Sequence, residues 1–130
     1  MNIHYQIVQA MTPRFDRWRK HINRILDTFD NYMTTDDVYK ECIECKKLLF
    51  ENGKAFAIVS VTEHSRDTHL FIQFAGGSIE GIDELDPIIY KFGQTIGATK
   101  AIFIGRKGFA KIMGKRGWKQ RFIYLEKEIQ

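Results

Sequence analysis

The chain has 130 residues, enough to bury one hydrophobic core but not two, which predicts one domain over residues 1–130. Hydrophobic residues make up 44% of the sequence, aromatic residues make up 13% and the formal net charge is a modest +4, a balance that excludes a disordered chain. The N-terminus lacks the pattern of a secretory signal and no apolar stretch is long enough to span a membrane, so we expect a cytoplasmic protein with no membrane partner.

The N-terminal region is predicted to hold a strand followed by a helix. Ile3, Tyr5 and Ile7 alternate with polar residues, as in a strand with one buried face. Thr12 followed by Pro13 is typical of a helix start, because the hydroxyl can cap amides and the proline ring suits the first helical position. One side of this helix would face the core, through Phe15, Trp18, Ile22, Ile25, Leu26 and Phe29.

A second helix is predicted from Thr34, where Asp37 completes a capping-box pattern, to Gly53. Its inward residues would be Val38, Cys42, Cys45, Leu48 and Leu49. The two cysteines have no second pair to complete a four-ligand zinc site. We therefore expect no metal site and two reduced thiols on or near the buried face.

The rest of the chain predicts a sheet with helices around it. KAFAIVSVTE and THLFIQFA are rich in β-branched and aromatic residues, and the HSRD between them predicts an antiparallel hairpin. A helix from about Asp83 to Thr95 follows, with Pro87 in its first turns and Gly97 after its end. Residues 100–106, 107–118 and 121–129 then predict a strand, a short basic helix and a closing strand. The fold class is α/β (α+β), a mixed, mostly antiparallel central sheet with helices on both faces.

In this order, the predicted elements resemble the fold of the GCN5-related N-acetyltransferases (GNAT) across nearly the whole chain, with one strand of the usual sheet missing. The chain is also similar to a group of small bacteriophage proteins with this fold. Five short strings in matching order carry that likeness: DDVY at 36–39, VTE at 61–63, AGG at 75–77, GRKGF at 105–109 and LEKE at 125–128.

The resemblance implies acetyl-CoA as the cofactor if the protein is active. GNAT enzymes bind the pyrophosphate with backbone amides of a glycine turn at a helix start. The residues at that place here are Gly76, Gly77, Ser78 and Gly81. We identify no arginine or glutamine that leads the turn, and Glu80, Asp83 and Glu84 would repel a pyrophosphate. Acids near a helix N-terminus are the ordinary choice for stabilising the helix dipole.

The resemblance also implies a tyrosine that protonates the leaving thiolate, four residues before a glycine-aromatic pair. With Gly117 and Trp118 as that pair, the position holds Met113, whose thioether cannot donate a proton. The candidates for a general base bracket the hairpin turn: Glu63, His64 and His69. Glu63 is favoured as the catalytic residue because it matches the VTE string, although each of the three could equally be a solvated turn residue.

The charge is unevenly distributed along the chain. Residues 100–121 hold eight basic residues and no acid, whereas residues 79–90 hold four acids and no basic residue. Where the predicted strand meets the basic helix, glycines permit an anion to approach the backbone closely. The candidate anion or partner site is therefore Gly105, Arg106, Lys107 and Gly108. A tight turn with both cations facing water is an equally open alternative.

Three functions remain open. The altered glycine turn and Met113 favour a catalytically degenerate domain that binds a phage or host protein, as an accessory part of a phage particle. In that case the protein would be in the host cytoplasm or packaged in or attached to the virion. The alternatives are an active acetyl-CoA-dependent N-acetyltransferase and a non-specific nucleic-acid-binding protein that stacks bases on Phe109, Trp118 and Phe122.

Overall fold

The computed structural model describes residues 3–28, 32–105 and 107–129. In chain order the elements are α1 (Ile3–Asp16), α2 (Arg19–Thr28), α3 (Thr35–Ile43), β1 (Leu48–Glu51), β2 (Ala55–Glu63), β3 (Thr68–Gly77), α4 (Ile79–Thr95), β4 (Lys100–Phe103) and α5 (Lys107–Gly114). The strands form one sheet in the order β1-β2-β3-β4, in which β3 and β4 are parallel and the other neighbours are antiparallel. The predicted mixed, mostly antiparallel sheet is confirmed.

Helices cover both faces of the sheet, as predicted. Alternation along β2 places Phe56 and Ile58 on one face and Ala57 and Val59 on the other. The first face packs under α1, α2 and α3, through core residues such as Phe15, Ile22, Leu26 and Val38. The second face packs under α4, through Leu85 and Ile89. Burial on both faces explains why β2 is apolar almost throughout its first half.

The strand predicted at the N-terminus is wrong, because its residues form the start of α1. Ile3 and Tyr5 lie exposed on this helix. The partly or fully covered apolar positions of α1 fall on one face of a helix, because Met11 lies four residues after Ile7 and three after Val8, and Phe15 lies four after Met11. The apparent alternation was too short to distinguish a strand from a helix.

The predicted helix start at Thr12 and Pro13 is also wrong, since both residues lie inside α1. The Thr12 hydroxyl donates to the carbonyl oxygen of Val8 at 2.6 Å, so it bonds back into its own helix rather than capping a new one. A turn at residues 17–18 then splits the predicted helix into α1 and α2. The predicted buried face is confirmed at Phe15, Trp18, Ile22 and Leu26, and Phe29 lies outside the described residues.

The start of α3 follows the prediction, whereas its end does not. The Thr34 hydroxyl accepts a hydrogen bond from the Asp37 amide at 3.1 Å, and the Asp37 carboxylate accepts one from the Thr34 amide at 2.9 Å. The helix ends at Ile43 rather than at Gly53, because Cys45 takes a left-handed backbone conformation with φ of 60°. The two leucines that were predicted to complete the helix form β1 instead.

The two cysteines differ in exposure. Cys42 is on the buried face of α3, and burial raises the pKa of its thiol to about 11, which keeps it protonated. Cys45 is exposed, which corrects the predicted position near the core. Both thiols are free, and the described residues contain no group of three or more His, Cys, Asp or Glu side chains that could hold a metal ion.

The central hairpin is confirmed, and the helix after it is longer than predicted. The amide of His64 donates to the carbonyl oxygen of Asp67 at 2.7 Å and closes the turn between β2 and β3. The following helix, α4, begins at Ile79, several residues before the predicted start, because Ser78 caps it. Pro87 therefore lies in the middle of α4. Gly97, with φ of 78°, follows the end of this helix as predicted.

The last third contains β4 and α5 as predicted but lacks the closing strand. Residues 118–129 have no regular secondary structure. The side chains of residues 122–125 are 68% to 87% exposed. A strand needs a neighbour for its backbone hydrogen bonds, and no other described segment lies beside this one as a strand. Within the three described ranges, no helix is both long enough and apolar enough to cross a bilayer.

Candidate functional site

β3 continues beyond the end of β4. The pairing of these strands ends at Ile72 and Phe103, whereas β3 continues to Gly77. A register shift in the pairing of β2 with β3 leaves Gln73 as an extra residue directly after Ile72. Such a bulge bends a strand and increases its twist. The final part of β3, after Ile72, has no partner residue in β4.

A small apolar cavity of about 40 Å³ lies beside this part of β3. Its walls come from β2, β3, β4, α4, α5 and the turn after α5, and they include Ala75, Phe103, Phe109, Met113 and Trp118. The position where the resemblance implies a tyrosine thus lies in the cavity wall, but it carries the thioether of Met113. Small-molecule sites have volumes of about 300–1,000 Å³, so this cavity is much smaller than a usual ligand site.

Among the described residues that line the cavity, Asp86 alone carries a titratable side chain. Burial raises the pKa of its carboxyl group; the charge of Asp83 adds to this effect and the charge of Arg116 opposes it. In the sequence, Asp86 was counted only as one of the four acids of residues 79–90. The spacing along the sequence could have revealed that Asp86 faces the core. It stands four residues after Ile82 and three before Ile89, so it lies on the apolar stripe of α4 formed by Ile82, Leu85 and Ile89.

Replacing Asp86 with asparagine should raise the melting temperature at about pH 7. The raised pKa means that the folded chain holds this proton more tightly than the unfolded chain does. The stability contributed by the protonated Asp86 carboxyl group is complete below the ordinary carboxyl pKa of about 3.9. It is lost as the pH rises through the raised pKa of Asp86 in the folded chain. The difference from the wild type should therefore disappear at roughly pH 3, which thermal melts across the pH range would show.

The matched control is Asp83→Asn, which should change stability in the opposite direction. Hydrogen bonding from Arg116 lowers the pKa of Asp83, so this carboxylate stabilises the fold above its ordinary pKa and stops doing so in acid. The Asp83→Asn variant should be less stable than the wild type at neutral pH. If both variants shifted the melting temperature in the same direction, the different environments assigned to the two carboxyl groups would be wrong.

The predicted cofactor-binding turn packs tightly against the start of β2. The Ser78 amide donates to the Lys54 carbonyl oxygen at 2.9 Å, and the Ser78 hydroxyl accepts from the Gly81 amide at 3.0 Å. Gly77 has φ of 106°, and a Cβ there would lie 2.4 Å from the Lys54 oxygen. A Cβ on Gly81 would lie 2.8 Å from the Ala55 nitrogen. These two glycines leave room for β2 rather than for a ligand.

The acids around this turn are opposed by cations from elsewhere in the chain. The ammonium group of Lys54 lies 3.1 Å from a Glu80 carboxylate oxygen and 3.0 Å from one of Glu84. The guanidinium of Arg116 donates two hydrogen bonds to Asp83, at 2.6 and 3.3 Å. The acidic and basic stretches therefore meet in space. Sequence reasoning missed Lys54, because no local signal relates it to a helix that begins 25 residues later.

These residues do not fit the pyrophosphate of coenzyme A. Two amides of the turn already donate within the protein, and two acids lie beside its nearest cation. At the third glycine, Gly76, a Cβ would lie 3.0 Å from the Phe56 ring. The expectation that no glutamine leads the turn is wrong, because Gln73 stands three residues before Gly76. It lies within β3, however, and bonds to Lys47 and Tyr32 on the other side of the sheet.

The predicted general-base candidates lie together at the opposite end of the hairpin. Glu63 ends β2 as an exposed residue, and roughly 26 Å of strand separates it from the β2 residue that pairs with Gly77. The rings of His64 and His69 are 4.9 Å apart, and His69 Nε2 is 3.0 Å from an Asp67 carboxylate oxygen. The fold thus brings the two histidines together with Asp67, away from the glycine turn. The catalytic role of Glu63 stays a prediction.

The predicted anion site lies at the start of α5. Arg106 lies outside the described residues, and so does the side chain of Lys107, the first residue of the helix. A Cβ on Gly105 would lie 2.3 Å from the ring of Phe103, so this glycine lets the chain turn closely over β4. Gly108 has open space around its Cα. Binding of an anion or a partner here stays a prediction.

No protein-family model and no curated protein matches this sequence. Solved structures do match the fold. An aminoglycoside acetyltransferase from an uncultured soil metagenomic sample, solved in complex with sisomicin, superposes with a TM-score of 0.67 over 91% of this chain and 90% of its own, at 9% identity. A probable acetyltransferase gives a TM-score of 0.65 over 96% of this chain and 93% of its own, at 10% identity.

A putative acetyl transferase from Pyrococcus furiosus is similar as well, with a TM-score of 0.56 over 85% of this chain and 93% of its own, at 15% identity. At such low identity these likenesses establish the fold alone. The chain therefore has a GNAT fold. This assignment rests on the element order, the parallel pairing of β3 with β4 and the similarity to these solved structures.

Proposed function

We propose that this protein is a catalytically degenerate GNAT-fold domain that acts as a binding component rather than as an acetyltransferase. The packing of the glycine turn against Lys54 and Ala55 carries this proposal. A pyrophosphate cradle needs backbone amides that point at the anion. Here two amides of the turn serve hydrogen bonds inside the protein, and the Cβ positions of two glycines face β2.

Two properties of the cavity support the same proposal. Its volume of about 40 Å³ leaves room for little more than water. The wall position that would carry a proton-donating tyrosine carries Met113. In this proposal the chain keeps the scaffold, but it lacks the cradle for the anion and the phenol for the leaving group.

Isothermal titration calorimetry with acetyl-CoA should show no binding, which corresponds to a Kd weaker than about 1 mM. The expected cause is electrostatic as well as steric, because Glu80 and Glu84 lie beside the turn that a pyrophosphate would approach. The positive control is the aminoglycoside acetyltransferase of similar fold, titrated under the same conditions.

Micromolar affinity for acetyl-CoA would contradict the proposal, and so would the release of free thiol from acetyl-CoA in the presence of amines. Either result would favour the second candidate, an active N-acetyltransferase. The observation that favours this candidate is that β3 extends beyond the end of β4, where Ala75 lines the cavity. In that case Asp86 is the side chain that can hold a proton at the cavity wall.

The proposed partner is a phage or host protein, with the domain serving as an accessory part of a phage particle. The ordered strings shared with small bacteriophage proteins support this setting. Nucleic acid remains a less favoured partner. Arg116 in the basic stretch is bonded to Asp83, and two of the candidate stacking rings, Phe109 and Trp118, line the cavity.

A further inference from the structure

The cap segment, defined as residues 107–118, covers the cavity without contributing a buried residue to the core. It comprises α5 and the turn after it, and its described side chains are all partly or fully exposed. Phe109, Met113 and Trp118 supply its part of the cavity wall. The chain that follows Trp118 has no regular secondary structure. A segment with so little buried apolar surface opens at a lower free-energy cost than the core elements do.

An ion pair fastens the cap segment to α4. The Arg116 guanidinium donates to one carboxylate oxygen of Asp83 at 2.6 Å and to the other at 3.3 Å. It also donates to the Ile112 carbonyl oxygen at 2.9 Å, which orients it from within its own segment. Within the described ranges, no second ion pair joins the cap segment to the rest of the fold. We call the Arg116–Asp83 pair the latch.

Asp86 places a carboxyl group in the cavity wall, three residues after Asp83 and on the same side of α4. The negative charge of Asp83 disfavours ionisation of Asp86, and the positive charge of Arg116 favours it. The sheet residues in the wall are apolar, and Lys111 and Lys115 of the cap segment are exposed. Because the latch already uses Arg116, an ionised Asp86 would lie against an apolar wall without a dedicated partner.

We propose that the cap segment is a lid that opens when Asp86 loses its proton. The neutral carboxyl group is compatible with the apolar wall, so the latch stays closed. A carboxylate in the same place must be hydrated or fully paired, because an uncompensated buried charge is costly. Separation of the cap segment from α4 lets water reach the carboxylate. It also exposes the apolar walls of the cavity, so the surface offered to a partner changes with pH. The proposal is independent of coenzyme A binding.

The closed lid should predominate in acid and the open lid at higher pH. Burial raises the pKa of Asp86, and the charge of Asp83 adds to this effect. The closed lid therefore holds this proton more tightly than a hydrated carboxyl group does, and closure is fully favoured below the ordinary carboxyl pKa of about 3.9. That advantage is lost as the pH rises through the raised pKa. Asp83 stays ionised over the same rise, because hydrogen bonding from Arg116 lowers its pKa.

Acrylamide quenching of tryptophan fluorescence measures lid opening in the intact chain. Of the two tryptophans, Trp18 is only 5% exposed, whereas Trp118 lies on the lid. Between about pH 4 and about pH 9, the quenching constant of the wild type should rise at least about twofold as the Trp118 ring becomes accessible. The Asp86→Asn variant should keep the low quenching constant throughout, because its amide does not ionise.

The difference between these two chains isolates Asp86. The ring centres of His21 and Trp18 are 5.1 Å apart, and any effect of pH on this pair would be the same in both chains. Circular dichroism at each pH value shows that both chains stay folded. An unchanged quenching constant in the wild type, or an equal rise in Asp86→Asn, would overturn the proposal.

Arg116→Gln tests the latch. At about pH 4 the lid of the wild type should be closed, and removal of the guanidinium should raise the quenching constant toward that of the open lid. The matched control is Lys115→Gln, which removes an exposed cation of the same segment that the latch does not use. This control should be quenched like the wild type. Equal quenching of Arg116→Gln and Lys115→Gln at this pH would overturn the role of the latch.

Discussion

Replacing Gly81 with alanine should destabilise the protein by about 1–3 kcal/mol, a typical cost of overpacking. The new methyl group would lie 2.7 Å from Cβ of Lys54 and 2.8 Å from both Cβ and the nitrogen of Ala55. The nitrogen belongs to the backbone of β2, so relief requires α4 to move away from the sheet. Denaturation by urea, followed by circular dichroism, would measure the change in the free energy of unfolding.

Gly114→Ala is the matched control for this prediction. Gly114 is the last residue of α5 and has no atom within 4 Å of its Cβ position. Alanine there should leave the stability unchanged or raise it by up to about 1 kcal/mol, because alanine is the better helix former. If Gly81→Ala left the stability unchanged as well, the glycine would not be needed for packing, and a role in binding a ligand would become the better explanation.

Glu51→Ala should cost about 2–4 kcal/mol of stability, the largest effect that we expect from a single charged residue of this chain. One oxygen of this carboxylate accepts from Arg14 at 3.2 Å. The other accepts from Arg17 at 2.9 Å, from the Trp18 ring nitrogen at 3.2 Å and from the Gly53 amide at 2.9 Å. Its side chain is only 7% exposed, so removal would leave several donors without an acceptor.

Two comparisons make the Glu51 prediction specific. Glu44→Ala removes an exposed carboxylate that pairs with Lys46, and it should change the stability by less than about 1 kcal/mol. Glu51→Gln keeps an acceptor but removes the charge, so its cost should be intermediate. Equal stability of Glu51→Ala and Glu44→Ala, measured by urea denaturation, would contradict the role assigned to Glu51.

The same carboxylate should make the stability depend on pH. Burial by itself raises the pKa of Glu51, but hydrogen bonds from Trp18, Gly53 and Arg14 outweigh burial and hold this pKa below its ordinary value of about 4.3. Its contribution is therefore complete above that ordinary value and is lost as the pH falls through the lower value in the folded chain. The Glu51→Gln variant should therefore lose less stability than the wild type as the pH falls, because it lacks this titrating carboxyl group.

Several features of the fold were predictable from local sequence because their causes are local. The capping box at Thr34 and Asp37 involves residues three apart, and the structure contains both of its hydrogen bonds. The hairpin followed from two apolar runs of strand length on either side of a turn. The candidate site was only partly predictable. The glycine turn and Met113 were identified, whereas Asp86 and Lys54 were not.

The sequence by itself determined the central hairpin, the start of α3 and a GNAT-like order of elements, because short-range periodicity and capping encode them. Tertiary structure decided whether Ile3 and Tyr5 would lie on a strand or a helix, and it left residues 121–129 without a partner strand among the described residues. It also decided which cations meet the acids of α4, pairing Lys54 with Glu80 and Arg116 with Asp83. The physical reason is that a strand needs hydrogen bonds from another segment, and an ion pair depends on the distance between two side chains in space. The local sequence pattern predicts neither of these.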